Sequence, residues 1–169
     1  MNIIKKFLPE DLNQHLQKQL VAYNFPWYFQ YSSVDPPYKE DNQFVFYHEF
    51  LSYKKINSEW WPTVKPLVDK VKKHFPKIEI LRVKANLYTN QNKVIKFGKH
   101  IDNRFEPEFF SSIYYVNSNN GKTYIGKKVV PSVANSFVVF DGQTPHYGTV
   151  QTDTPLRLLI NVIFKNSTS

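Results

Sequence analysis

The chain has 169 residues, no cysteine, a formal net charge of +8, and contents of 41% hydrophobic and 17% aromatic residues. This length suits one domain with a sizeable core and leaves too little chain for two, and the missing cysteines exclude disulfides and thiol chemistry. No apolar run approaches the roughly 20 residues that span a bilayer, and residues 1–14 lack the apolar segment of a signal peptide. We therefore expect a soluble, cytoplasmic protein without a membrane partner.

The positive charge is concentrated between Lys54 and Lys99, where twelve lysines and arginines accompany three acidic residues. A solvated helix face together with exposed strand residues is the common origin of such an excess. A surface that attracts nucleic acid or an acidic protein is the alternative. Charge alone does not separate the two.

The first half of the chain predicts two helices and little regular structure between them. Residues Leu8–Leu20 place leucines at helical spacing behind an acidic first turn. An aromatic, proline-punctuated segment follows, with short strands expected around Phe29 and Phe46. Ser58 resembles the N-cap of a second helix that ends in lysines, and Pro66 predicts either a later start or a kink.

From Ile78 onward the sequence predicts short strands separated by Asn, Gly, Pro and Asp. Such a series is typical of a sandwich, jelly roll or barrel. We predict a mainly β fold with packing helices in a single domain, 1–169, in which 1–77 support a β core at 78–165. The predicted strands are IEILRVKANLYT, KVIKFGKHID, FFSSIYYVN, KTYIGKKVV, SFVVFD, HYGTV and LRLLINVIFK.

A histidine and an aspartate stand two residues apart in one of these predicted strands. Successive strand residues point to opposite faces, so His100 and Asp102 share a face. His146 follows a later strand and can return over an earlier one. Two histidines and one carboxylate form the facial triad of non-haem iron, although zinc accepts the same donors. The other histidines have simpler interpretations: solvated helix residues at His15 and His74, and a packed residue at His48.

An arginine within an apolar strand suggests an anionic ligand. Alternation places Arg157 and Asn161 on one face of the last strand, and burial of a guanidinium is costly unless an anion meets it. A carboxylate suits it because the planar fork binds carboxylates with two hydrogen bonds. Asn86, Tyr88 and Tyr115 are predicted to point inward from neighbouring strands.

The motifs ANLY, HID, SIYYVN, NNGKT, FVVFDG and RLLINVIF, in this order, resemble those of the Fe(II)/2-oxoglutarate-dependent oxygenases. The resemblance is closest to the prolyl-4-hydroxylase-like branch, in particular its short bacterial and phage members. It implies a double-stranded β-helix, a jelly-roll or cupin-like core, with iron on His100, Asp102 and His146. Arg157 would hold the distal carboxylate of 2-oxoglutarate, and the further candidates for contact with this co-substrate are Tyr88, Tyr115, Asn86 and Asn161.

The resemblance implies a dioxygenase that hydroxylates a C–H bond, with a peptidyl proline or another protein side chain as substrate. Fe(II), 2-oxoglutarate and O2 would be required, with ascorbate as a further candidate, in the cytoplasm of the host if a phage encodes the protein. Relatives that dealkylate nucleic acids carry a second arginine six residues after the first, where this chain has Ile163, which favours a protein substrate. A nucleic-acid oxygenase with the same iron centre and a non-catalytic jelly-roll module are the alternatives. Asn120–Gly121 replaces a frequent Gly-Gly, and we expect a left-handed turn there.

Overall fold

The computed structural model describes residues 1–34, 43–102 and 107–167. Two helices and eleven strands lie within these ranges, and neither of these helices is long and apolar enough to span a bilayer. In chain order the elements are β1 Asn2–Lys5, α1 Glu10–Leu20, β2 Tyr28–Gln30, β3 Val45–Ser52, β4 Lys55–Ile56, α2 Trp61–His74, β5 Ile78–Thr89, β6 Phe110–Tyr115, β7 Asn119–Ile125, β8 Lys128–Ser132, β9 Ser136–Asp141, β10 His146–Gly148 and β11 Leu156–Asn166.

The strands form two antiparallel sheets that pack face to face. The larger sheet has the order β1-β9-β6-β11-β5-β3-β2, with β4 paired to β3, and the smaller has the order β10-β7-β8. A buried cluster joins them, because Ile113 and Leu159 of the larger sheet belong to the same cluster as Ile125 and Val130 of the smaller. The arrangement is a double-stranded β-helix, which confirms the predicted mainly β fold with packing helices.

Both helices cover the outer face of the larger sheet. Leu16 and Leu20 of α1 and Val64 and Val68 of α2 are buried in one cluster with the apolar side chains of β5 and β11. Alternation therefore assigns each central strand an apolar face toward the helices and a second face toward the smaller sheet. The polar side chains at alternate positions of β5 and β11 point into the space between the sheets, and the site lies there.

The helix boundaries correct two predictions. Helix α2 begins at Trp61, so Pro66 lies inside it and a start near Pro66 is wrong. Trp60 occupies the N-cap position, two residues after the expected cap Ser58, whose hydroxyl accepts the Trp60 N–H at 3.0 Å. The short strands expected around Phe29 and Phe46 are present as β2 and β3, while residues 35–42 between them lie outside the described residues.

The segment that carries His100 is not the continuous strand that its sequence predicts. It runs antiparallel to β10 but pairs at two isolated bridges, Lys96 with Thr149 and His100 with His146. Between the two bridges lie three residues on one side and two on the other, so one extra residue interrupts the regular pairing, as in a β-bulge. Asp102 lies beyond the last bridge, where local alternation no longer decides its direction.

Three further features of the strands differ from the sequence prediction. KTYIGKKVV forms the hairpin of β7 and β8 rather than one strand, with Gly126 at φ +57° in its turn. The N-terminal strand β1 pairs with β9 and was not predicted. A register shift opposite Ile163 moves Leu81 away from the helices and into a small cluster with Phe109 and Ile163.

Candidate metal and co-substrate site

Three side chains from two segments converge between the sheets. His100 and Asp102 follow β5, His146 begins β10, and their ligand atoms all lie within 4.8 Å of one another. His146 Nε2 is 3.4 Å from Asp102 Oδ2, and both side chains are only 4% exposed. The backbone bridge between His100 and His146, with N–H···O distances of 3.0 and 2.9 Å, fixes the two histidine backbones side by side.

Backbone carbonyls orient both imidazole rings in the same way. His100 Nδ1 is 2.9 Å from the carbonyl oxygen of Gly98, and His146 Nδ1 is 3.2 Å from that of Thr144. A carbonyl only accepts, so each neutral ring donates through Nδ1 and keeps its lone pair on Nε2. Such contacts to the other ring nitrogen are the usual support of metal-binding histidines.

The protonation states of the cluster suit a cation. Burial alone would raise the pKa of the Asp102 carboxyl, but at the acid pH where this carboxyl titrates, electrostatic attraction to His146, Arg82 and His100 outweighs burial and holds that pKa well below its usual range. Burial lowers the pKa of His146, and Asp102 opposes this effect only in part. At neutral pH the aspartate is therefore ionised and His146 is neutral. Among the described residues Asp102 Oδ2 accepts no hydrogen bond although it is buried, so these residues fit a divalent metal ion.

The other carboxylate oxygen of Asp102 has protein partners. Arg82 Nη2 donates to Oδ1 at 2.9 Å, and Asn161 Nδ2 lies 3.5 Å from the same atom. Arg82 comes from β5, directly opposite Ile163 of β11. Arg82 carries no signal of a site residue in the sequence. Asn161, a candidate for contact with the co-substrate, has its side-chain Nδ2 beside Asp102.

Arg157 is a fully buried cation whose hydrogen-bond partners are neutral. The residue is 1% exposed, its Nε donates to Ser132 Oγ at 3.0 Å, and its Nη2 donates to Thr123 Oγ1 at 2.9 Å. Burial lowers the pKa of this guanidinium, and the part of the chain that the structure describes offers it no carboxylate. Because burial of an unpaired charge is costly, the arrangement calls for an anion. Thr123 and Ser132 were missed, since a hydroxyl in a strand carries no special signal.

Two glycines make room for the Arg157 side chain. A Cβ on Gly121 would lie 2.7 Å from Arg157 Cδ, and one on Gly148 would lie 3.1 Å from Arg157 Nη1. The left-handed turn expected at Asn120–Gly121 is wrong, because both residues belong to strand β7. Gly121 is required there for the space that it leaves, not for its backbone freedom.

The predicted aromatic residues surround the same guanidinium. Arg157 Cζ is 5.6 Å from the centre of the Tyr88 ring and 5.9 Å from that of Tyr115. The Tyr115 hydroxyl donates to Thr123 Oγ1 at 2.7 Å, and burial raises the pKa of Tyr115. Tyr88 pairs with Arg157 across the β5–β11 ladder. Asn86 is buried on the same strand, two residues away on the same face.

The remaining histidines behave as their sequence context predicts. His15 and His74 are exposed on their helices. His48 is buried, with Nδ1 2.7 Å from the Pro26 carbonyl oxygen and Nε2 2.7 Å from Ser58 Oγ. Burial lowers the pKa of His48. This histidine connects β3 to the start of α2 and lies on the helix side of the larger sheet, away from the triad.

The basic stretch between Lys54 and Lys99 does not form one surface at the site. Its helical part belongs to α2, which covers the face of the larger sheet opposite the triad. Lys54 pairs with Glu79 at 2.8 Å and Lys65 with Asp69 at 2.6 Å. Solvated helix and strand residues therefore account for much of this charge.

Neither a protein-family model nor a curated protein sequence matches this chain, but solved structures do. One is a prolyl hydroxylase from Trichoplax adhaerens in complex with a hypoxia-inducible-factor oxygen degradation domain peptide. Its TM-score is 0.67 at 14% identity, and the aligned region covers 98% of this chain and 83% of the hydroxylase chain. A Pseudomonas putida prolyl-4-hydroxylase has a TM-score of 0.64 at 17% identity, covering 98% and 92%. An α-ketoglutarate-dependent epimerase from nogalamycin biosynthesis has a TM-score of 0.67 at 9% identity, covering 97% and 77%. The fold of this chain is thus that of the Fe(II)/2-oxoglutarate-dependent oxygenases, prolyl hydroxylases among them.

Proposed function

We propose that the protein is an Fe(II)- and 2-oxoglutarate-dependent dioxygenase whose metal ligands are His100, Asp102 and His146. The observation that carries this proposal is the buried Asp102 Oδ2, which has no hydrogen-bond partner among the described residues and lies beside two imidazoles already oriented through Nδ1. Zinc accepts the same donor set, so donor type alone does not select iron. The choice of iron rests on the second half of the site.

Arg157 supports 2-oxoglutarate as the co-substrate. Its side chain reaches Gly148, which follows the ligand His146 by two residues on β10. Two strand residues span about 6–7 Å, which suits a short dicarboxylate that meets the metal at one end and the guanidinium at the other. The carboxylate would give the buried charge of Arg157 the partner that the described residues do not supply.

These contacts indicate which role the metal ion would have and which roles the side chains have. Bound iron would supply the redox chemistry by which O2 oxidises the co-substrate and the substrate C–H bond. The chain holds the ligands through Gly98, Thr144 and Arg82, aims Arg157 through Thr123 and Ser132, and excludes water with the rings of Tyr88 and Tyr115. Arg82, Tyr115, Thr123 and Ser132 lie on paired strands, so these side chains are preorganised and should rearrange little on binding.

For the substrate we propose a peptide, with hydroxylation of a prolyl or another side chain. Two structures of the same fold support this choice, since one is a prolyl-4-hydroxylase and the other holds a peptide. The epimerase with the same fold acts in antibiotic biosynthesis, so fold likeness alone does not select a substrate. The position of the basic helix α2, on the face of the sheet opposite the triad, favours a peptide over nucleic acid.

The test combines binding with turnover. Metal-free protein is loaded with Fe(II) under anaerobic conditions and titrated with 2-oxoglutarate by calorimetry, with succinate as the control ligand. Succinate formation is then measured in air with ascorbate. We expect 2-oxoglutarate binding that requires metal, slow turnover without substrate, and loss of both in His146→Ala. A wild-type protein that binds neither metal nor 2-oxoglutarate is a non-catalytic module, and the proposal is then wrong.

The substrate class is tested in the same assay. Proline-containing peptides and single-stranded oligonucleotides are added separately, and stimulation of succinate formation is measured at several salt concentrations. We expect stimulation by peptides that persists at moderate salt. Stimulation by oligonucleotides alone, with the steep salt dependence of phosphate contacts, would identify a nucleic-acid oxygenase instead.

A further inference from the structure

The two carboxylate oxygens of Asp102 have different surroundings. Oδ1 accepts a hydrogen bond from Arg82 Nη2 at 2.9 Å and lies 3.5 Å from Asn161 Nδ2. Oδ2 accepts none from the described residues and lies 3.4 Å from His146 Nε2. One oxygen is thus occupied by protein donors, and the other points toward the histidines.

Arg82 contacts Asp102 at a second point as well. Its Nη1 donates to the backbone carbonyl oxygen of Asp102 at 3.3 Å. The guanidinium therefore contacts the side chain and the main chain of one residue, and its rigid planar fork sets both directions together. Asp102 belongs to no strand, whereas Arg82 is held in the middle of β5 by ladders to β3 and β11. The guanidinium of Arg82 therefore links the segment that carries Asp102 to strand β5 of the larger sheet.

We propose that Arg82 is a positioning residue that keeps Asp102 a one-oxygen ligand of the metal. The proposal rests on the metal site proposed above. A carboxylate that binds through one oxygen leaves three positions of a six-coordinate ion open, whereas a carboxylate that chelates leaves two. A 2-oxo acid that chelates takes two positions. With a chelating Asp102 none would remain for O2, so the Arg82 fork preserves the position that the reaction needs.

Charge and geometry make different predictions for Arg82 variants. A guanidinium beside a metal site repels the incoming cation, so loss of charge alone would strengthen metal binding. Loss of the fork would instead free Oδ1 to join Oδ2 on the metal. Arg82→Lys keeps the charge and loses the fork, while Arg82→Met loses both. If the two hydrogen bonds of the guanidinium keep Asp102 a one-oxygen ligand, both variants should lose one open position on the metal.

The experiment counts water molecules on a bound metal and needs no turnover. Metal-free wild type, Arg82→Lys and Arg82→Met are each titrated with Mn(II), and water-proton relaxation gives the number of waters on the bound ion. We expect roughly three waters in the wild type and two in both variants, so the relaxivity of bound Mn(II) falls by about one third. Lys84→Met is the matched control, because Lys84 lies two residues along the same face of β5 and its loss removes the same charge.

The outcomes separate this proposal from the proposed function. Wild type that binds no Mn(II) overturns both. Wild type and both variants with the same relaxivity overturn the role of Arg82 and leave the metal site intact. An unchanged Arg82→Lys beside an altered Arg82→Met assigns the effect to charge, which contradicts the fork. A folded variant that no longer binds Mn(II) also contradicts it, since a chelating aspartate should still bind. Arg82→Lys keeps the test decisive if Arg82→Met fails to fold.

Discussion

Replacement of Arg157 by methionine separates a ligand-binding arginine from a structural one. The side chain is fully buried, donates only to the hydroxyls of Ser132 and Thr123, and has no carboxylate partner among the described residues. Methionine has a similar length and fills much of the space without the charge. If the guanidinium exists to bind 2-oxoglutarate, its removal should weaken that binding and leave the ligand-free protein intact.

The two effects have opposite signs. A hydrogen bond to a charged group contributes about 1.5–3 kcal/mol, so we expect the dissociation constant of 2-oxoglutarate to rise roughly ten- to a hundredfold or more. Replacement of a buried ion pair by well-packed apolar side chains is often neutral or stabilising by about 1–4 kcal/mol, and a buried cation without an ionic partner has no ion-pair attraction to lose. The lost hydrogen bonds to Ser132 and Thr123 offset part of that gain. The free energy of unfolding of ligand-free Arg157→Met should therefore stay equal or rise by up to about 4 kcal/mol.

Calorimetric titration of the metal-loaded protein gives the affinity, and urea unfolding of the ligand-free protein gives the stability. Lys165→Met is the control, because Lys165 is a cation on the same strand, with its Nζ 3.9 Å from Glu79 Oε2. The control should leave 2-oxoglutarate affinity unchanged. An Arg157→Met protein that binds 2-oxoglutarate normally but has lost more than about 1 kcal/mol of stability would refute the reasoning and make Arg157 a structural link between the sheets.

Two further changes test the packing of the site and the helix side. Gly121→Ala places a Cβ 2.7 Å from Arg157 Cδ, so the affinity for 2-oxoglutarate should fall about tenfold while the affinity for Mn(II) stays unchanged. A variant that binds 2-oxoglutarate as tightly as the wild type would show that strand β7 shifts to accommodate the methyl group. Burial lowers the pKa of His48 in the folded state, whereas in the unfolded state this pKa is about 6.5. Below that pH the unfolded state binds more protons than the folded state, so the free energy of unfolding should fall as the pH drops, by at most about 1.4 kcal/mol per pH unit. His48→Gln should reduce this slope in urea unfolding between pH 7.5 and 5.5, and an unchanged slope would assign it to other groups.

The sequence predicted the fold class and marked the candidate site residues because the periods of strands and helices are encoded by neighbouring residues. Alternation in β5 and β11 separated the apolar face from the face that carries Tyr88 and Arg157. The leucine spacing of α1 and the valine spacing of α2 likewise marked the faces that cover the sheet. In each case the signal is the period of a single element, which neighbouring residues encode.

What lies beside each site residue depended on contacts between distant parts of the chain. Arg82 meets Asp102 across 20 residues and Arg157 meets Thr123 across 34, and no local period encodes either meeting. The bulge that breaks the His100 segment arises only from its register against β10. Alternation thus identified which side chains point inward, but only the stacking of two sheets brought the ligand atoms of His100, Asp102 and His146 within 4.8 Å of one another and left one aspartate oxygen without a hydrogen-bond partner among the described residues.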